Sequence, residues 1–215
     1  MPLLETLAID TADSDPQDIL LQFITLQNAS SIRHLKLDMG PDCTKISIIP
    51  FVWWKQLTHL NIESYITTGT LASVLWQYMA LQDAQFCICL DSEAGVSVNP
   101  YKAPILPHLS ILKLNLLYLL ADQLTSINHT WDVFSTVFSK IQLPALRSVT
   151  CGTGDLMVTI PSSVLFHPKP HNLGILQSLV LMHVAFNTPV EIAQLIDACP
   201  ALATLALFPA RSSVS

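Results

Sequence analysis

The chain has 215 residues, of which 51% are apolar and only 12% charged, and its formal net charge is −6. That apolar content excludes a disordered chain, and an acidic balance without clustered Lys and Arg excludes a nucleic-acid-binding surface. One domain is expected at this length, with much of the chain in its core.

In chain order, the first patterned element is an apolar triplet, Leu4/Leu7/Ile9. A short strand alternates faces, so the fourth and sixth positions of such a triplet point inward together and the third, fifth and seventh point out. Asp15-Pro16-Gln17-Asp18 then supplies a cap, a proline at the first helical position and acid in the first turn, predicting a helix through Ile19, Leu20, Phe23, Ile24 and Leu26. Asp10, Asp13, Asp15 and Asp18 crowd this helix start, where the helix dipole favours anions. Further triplets follow at Ile32/Leu35/Leu37 and Leu57/Leu60/Ile62, with a loop expected over 40–50.

Leu71, Val74, Leu75 and Tyr78 follow helical spacing behind the cap candidates Thr68 and Thr70. The fourth triplet, Leu81/Ala84/Phe86, precedes an irregular stretch over 91–104. The fifth, Leu109/Leu112/Leu114, lies in the longest apolar run, 105–121, which Pro107, His108, Lys113 and Asn115 interrupt. That run therefore reads as a strand and its exit, not a membrane span. Trp131, Phe134, Val137, Phe138 and Ile141 predict a helix behind Thr130, before Leu146/Val149/Cys151. A loop is expected over 152–174, then Leu176/Leu179/Leu181. Thr188-Pro189-Val190-Glu191 is a capping box ahead of Ile192, Leu195 and Ile196, and Leu202/Leu205/Leu207 is the eighth triplet.

The triplets start 28, 25, 24, 28, 37, 30 and 26 residues apart. Most of these steps fall in or near the 20–29 window of leucine-rich repeats. Pro2, Pro107, Pro144 and Pro200 each stand two places upstream of a triplet, at the strand entrance. One repeat cannot bury its apolar face alone, so neighbours must stack side by side. The expected fold is α/β: a leucine-rich-repeat solenoid spanning 1–215 in about eight irregular repeats. A curved parallel sheet would line its concave side, with helices and loops on the convex side.

Chemistry-bearing motifs are incomplete. Gly152-Thr153-Gly154 follows a strand as a dinucleotide fingerprint would, but Met157 replaces the third glycine and Pro161 stands where a helix should run. Gly95-Val96-Ser97-Val98 continues to Asn99, so the nucleophile elbow is broken. Cys43, Cys87, Cys89, Cys151 and Cys199 are odd in number and lack a CxxC pair, which favours buried free thiols. His34 and His59 share the third position of adjacent repeats, with Asp83 next in line, and would need further ligands to hold zinc. No catalytic residue, cofactor or metal is assigned.

The outward positions form the candidate protein-binding face: His34, Lys36, Asp38, His59, Asn61, Glu63, Asp83, Gln85, Lys113 and Asn115. Thr6, Ala8, Asp10, Cys87 and Ile111 complete the first five strands, whereas the last three offer only small or apolar residues, from Ser148 to Phe208. A partner with a charged end and a greasy end would match this gradient. The amino-terminal residues lack a basic leader or long apolar run, so an intracellular protein, cytoplasmic or nuclear, is expected.

Segments 106–114, 143–149 and 198–207, with Trp54-Lys55-Gln56-Leu57-Thr58-His59-Leu60, resemble the leucine-rich-repeat region of fungal F-box proteins, notably the large mushroom families. The resemblance implies the target-binding part of a substrate receptor for a cullin-type ubiquitin ligase, with the target protein as partner. It implies no enzymatic activity of the chain's own. No F-box precedes the first repeat here, so the ligase adaptor would be a partner only where an F-box lies upstream. The alternative expectation is a structural or regulatory repeat scaffold without a ligase role.

Overall fold

The computed structural model describes residues 4–10, 31–38, 55–89, 105–117, 141–153, 158–159, 173–186 and 188–208. Its elements are β1 (Thr6–Asp10), β2 (His34–Asp38), β3 (His59–Thr67), α1 (Thr68–Gln77), β4 (Asp83–Cys89), β5 (Ile111–Leu117), β6 (Ser148–Thr153), β7 (Val158–Thr159), β8 (Ser178–Met182), β9 (Val184–Ala185), α2 (Pro189–Ala198) and β10 (Thr204–Phe208). Eight strands form one sheet in the order β1-β2-β3-β4-β5-β6-β8-β10. Every neighbouring pair is parallel. Each triplet thus supplies one strand, and the sheet advances one strand per repeat as a solenoid.

Register follows the triplets. Leu7, Leu35, Leu60, Ala84, Leu112, Val149, Leu179 and Leu205 lie opposite one another in a row. Ile9, Leu37, Ile62, Phe86, Leu114, Cys151, Leu181 and Leu207 form a second row. The interior members of both rows are buried in one continuous core, except Val149, which is partly buried and packs against it. At the ends burial fails: Leu4 is 47% and Leu207 38% exposed, although the pattern places both inward. The cause is edge geometry, since among the described residues β1 and β10 have a strand on one side only.

Two repeated backbone devices fix the strand entrances. A turn precedes the triplet in several repeats, with Leu81 N–H donating to the Tyr78 carbonyl, Leu146 to Leu143, Leu176 to Leu173 and Leu202 to Cys199. Pro144 and Pro200 occupy the second position of such turns, where a fixed φ near −65° suits the backbone. Proline is thus part of the turn and not merely tolerated at the strand. Just beyond, the carbonyls of Glu5, Arg33, Thr58, Gln82, Ser110, Arg147 and Gln177 each accept two N–H groups from the next strand of the sheet, at 2.8–3.1 Å.

Helix α1 covers the core face beside β3 and β4, burying Leu71, Val74, Leu75 and Tyr78 as the spacing predicts. Its cap is Thr67, the last residue of β3, whose Oγ1 accepts from Thr70 N–H at 3.1 Å. The cap candidates Thr68 and Thr70 lie within the helix because strand passes into helix without a loop. In α2, Thr188 N–H donates to Glu191 Oε2 at 3.3 Å, Pro189 opens the helix, and Leu195 is buried. The loop expected over 152–174 contains β7, which pairs in parallel with β9. The helices expected over 15–26 and 131–141, and the loops at 40–50 and 91–104, lie outside the described residues, except Ile141, which is buried but not helical.

Strand β3 differs most from expectation. Ile62 pairs with Phe86, but the next partner, Cys87, faces Tyr65, so Glu63 and Ser64 are extra residues on β3. An insertion of two leaves the alternation intact: Glu63 and Tyr65 stay on the polar side while Ser64 and Ile66 are buried.

Candidate binding face

The polar side of the sheet carries the candidate residues in rows. The third-position row runs Thr6, His34, His59, Asp83, Ile111, Ser148, Ser178 and Thr204. The fifth-position row runs Ala8, Lys36, Asn61, Gln85, Lys113, Thr150, Val180 and Ala206. An open depression of about 270 Å³ lies over the first five strands. It gathers seven of the ten expected residues, His34, Lys36, His59, Asn61, Asp83, Gln85 and Lys113, with Thr6, Leu35 and Leu60. Asp38, Glu63 and Asn115 are not among its lining residues.

Lys36 Nζ lies 2.8 Å from Glu63 Oε2, and Asn61 Nδ2 donates to Glu63 Oε1 at 3.0 Å. The irregularity in β3 removes Glu63 from the seventh-position row, where spacing alone had set it between Asp38 and Cys87. With both oxygens engaged, the Glu63 carboxyl is held below its ordinary value, chiefly by the hydrogen bond from Lys36. Lys36 is raised, first by that bond and further by the charges of Glu63, Asp38 and Asp10. Asn61 has its amide NH₂ committed to Glu63, and its Oδ1 is buried without a hydrogen-bond partner. Among the described residues, the side chains of Asp83, Gln85 and Lys113 make no hydrogen bond or ion pair.

The rings of His34 and His59 pack at 4.2 Å between centroids, tilted by 46°. Thr58 Oγ1 lies 2.9 Å from His59 Nδ1 and donates to the Arg33 carbonyl at 3.3 Å. The Thr58 hydroxyl thus sits between the His59 ring and the carbonyl of the neighbouring repeat. Thr58 is a positioning residue that the register alone does not reveal. Among the described residues, no group of three or more His, Cys, Asp or Glu side chains is gathered to hold a metal ion.

The seventh-position row is partly closed. Cys87, expected to face outward, is buried, and Asn115 Nδ2 donates to its Sγ at 3.7 Å. Burial raises the Cys87 thiol above its ordinary value, the charges of Glu63 and Asp38 add to this, and the Asn115 hydrogen bond opposes it. Farther along, Gly152 leaves room for Met182, whose Cε would lie 2.9 Å from a Cβ at that position. Beside it His183 adopts φ 59° and joins three strands. Its N–H donates to the Phe208 carbonyl at 2.6 Å, its carbonyl accepts from Thr153 Oγ1 at 3.0 Å, and its Nδ1 donates to the Thr153 carbonyl at 3.1 Å. Cys89, Cys151 and Cys199 are buried free thiols, as expected, Cys87 is a free thiol buried against its outward register, and Cys43 lies outside the described residues.

No family model matches the chain, and no curated protein does. Among the described residues, no helix is long and apolar enough to cross a membrane.

Proposed function

We propose that the chain is a non-enzymatic protein-recognition module of the leucine-rich-repeat class, holding its partner on the polar, concave face of the sheet. One observation carries this reading: strands in register bring Asp83, Gln85 and Lys113, polar side chains without partners, to one open depression beside the orphaned Asn61 acceptor. Such groups are held at fixed intervals by the sheet and are matched by the donors and acceptors of a large ligand. The triplet, its turn and the one-strand-per-repeat advance support the repeat class.

Within that class, the target-binding region of an F-box-type ubiquitin-ligase receptor is the finer reading. Its support is the resemblance of segments 106–114, 143–149 and 198–207. Catalysis would then belong to other subunits.

Affinity capture from cells tests both levels. Lys36→Glu combined with Glu63→Lys should weaken capture of the partner while thermal stability changes by under about 0.5 kcal/mol. Capture that is indifferent to these and the other outward residues would sink the recognition face. Co-purification of cullin and adaptor with the full-length protein supports the receptor reading, and a target captured without them leaves a scaffold.

A further inference from the structure

The polar face changes character along the solenoid. From β1 to β4 its outward positions carry Asp10, Asp38, Glu63 and Asp83 against Lys36, which is already paired with Glu63. From β5 to β10 the described outward positions hold a single charge, Lys113, which is exposed and has no ion pair. Beyond it come the hydroxyls of Ser148, Thr150 and Ser178, then Val180, Met182, Ala206 and Phe208. Phe208 is 54% exposed, a large apolar surface left in water.

Resting on the protein-recognition reading, we propose that this second half of the face receives an extended peptide segment of a partner protein. The segment runs across the strands and sets a carboxylate on Lys113 and a large apolar side chain on Val180, Met182 and Phe208. Charge complementarity selects the acidic residue, because Lys113 is the one cation at the described outward strand positions there and the neighbouring strands toward β1 carry acids that would repel a second carboxylate. Spacing selects the motif. Lys113 and Val180 occupy the same row two strands apart, roughly 10 Å at 4.7–4.9 Å per strand, which a peptide in the polyproline II conformation spans in about three residues, one full turn, so that its first and fourth side chains face the sheet together. The met ligand is therefore an Asp or Glu separated by two residues from a Leu, Ile, Phe, Met or Trp. The acid lies toward β5 and the apolar residue toward β10.

Selection of a random displayed peptide library on the whole chain, followed by fluorescence anisotropy with the enriched synthetic peptides, tests this. Enrichment of the acid-x-x-apolar spacing is expected, with affinity that falls as salt rises and drops about tenfold in Lys113→Glu and in Met182→Asp. Lys113→Gln, and thermal midpoints of all variants, separate lost charge from lost folding. Enriched peptides that ignore Lys113 and Met182 but respond to Lys36 and Glu63 would overturn the proposal and leave the recognition face standing. Peptides that ignore every outward residue, or no enrichment at all, would overturn it as well.

Discussion

Charge and space at single positions decide what the polar face offers. Glu63 is held ionised by Lys36 and Asn61, so protonating it releases both at once. Its folded value is depressed, which places any pairing contribution above the ordinary carboxylate range and removes it as pH falls through the lowered value. Gly152 is a case where space is cheap to refill. The atom that a new Cβ would meet is the terminal methyl of Met182, a flexible end that can swing away. Gly152→Ala should therefore change stability by no more than about 1 kcal/mol in chemical denaturation, because the lower backbone entropy of alanine offsets the shift. A much larger loss would mean that Met182 is locked over the glycine. The stacked pair of His34 and His59 is readable from the triplet spacing, since both occupy the third position. The contact of Thr58 with His59 is not readable, because it also depends on the Arg33 carbonyl of the neighbouring repeat, which accepts from the hydroxyl.

At the scale of elements, strands are more legible than what joins them. A period of two and a fixed triplet place all eight sheet strands. The two extra residues in β3 escape such a reading because they preserve the alternation, so no apolar residue changes face to betray them. The cap of α1 is missed for a related reason: Thr67, Thr68 and Thr70 are chemically similar, and only the abrupt end of β3 selects the first. Thr67→Ala should cost about 1 kcal/mol by leaving Thr70 N–H without its acceptor, measured by urea midpoint. Leu112→Ala reaches deeper, since Leu112 is buried in a central strand between Ala84 and Val149. A loss of roughly 2–5 kcal/mol is expected from the cavity, and unchanged stability would place that side chain outside the stack.

For the whole molecule, the core holds thiols and a phenol whose ionisation folding opposes. Burial pushes Cys151 from near 9 up to about 12 and raises Cys199 and Tyr78 in the same direction. The folded chain keeps protons that the unfolded chain releases, so this contribution is whole below about pH 9 and is lost as pH climbs toward 12. Denaturation midpoints should fall over that interval, and Cys151→Ala should flatten the fall. A midpoint that is level across the alkaline range would contradict the buried position of Cys151. The seven doubly accepting carbonyls at the strand entrances have an effect on how such a chain can change over generations. They fix the pitch from one strand to the next at that rim, and they do so through main-chain atoms that any sequence supplies. Repeats here differ in length from 24 to 37 residues, yet their strands stay aligned. Apart from the two extra residues of β3, length variation thereby falls in the connections leaving the opposite ends of the strands. Insertions and deletions there can accumulate without moving the outward rows, and the proposed recognition surface can be rewritten one side chain at a time.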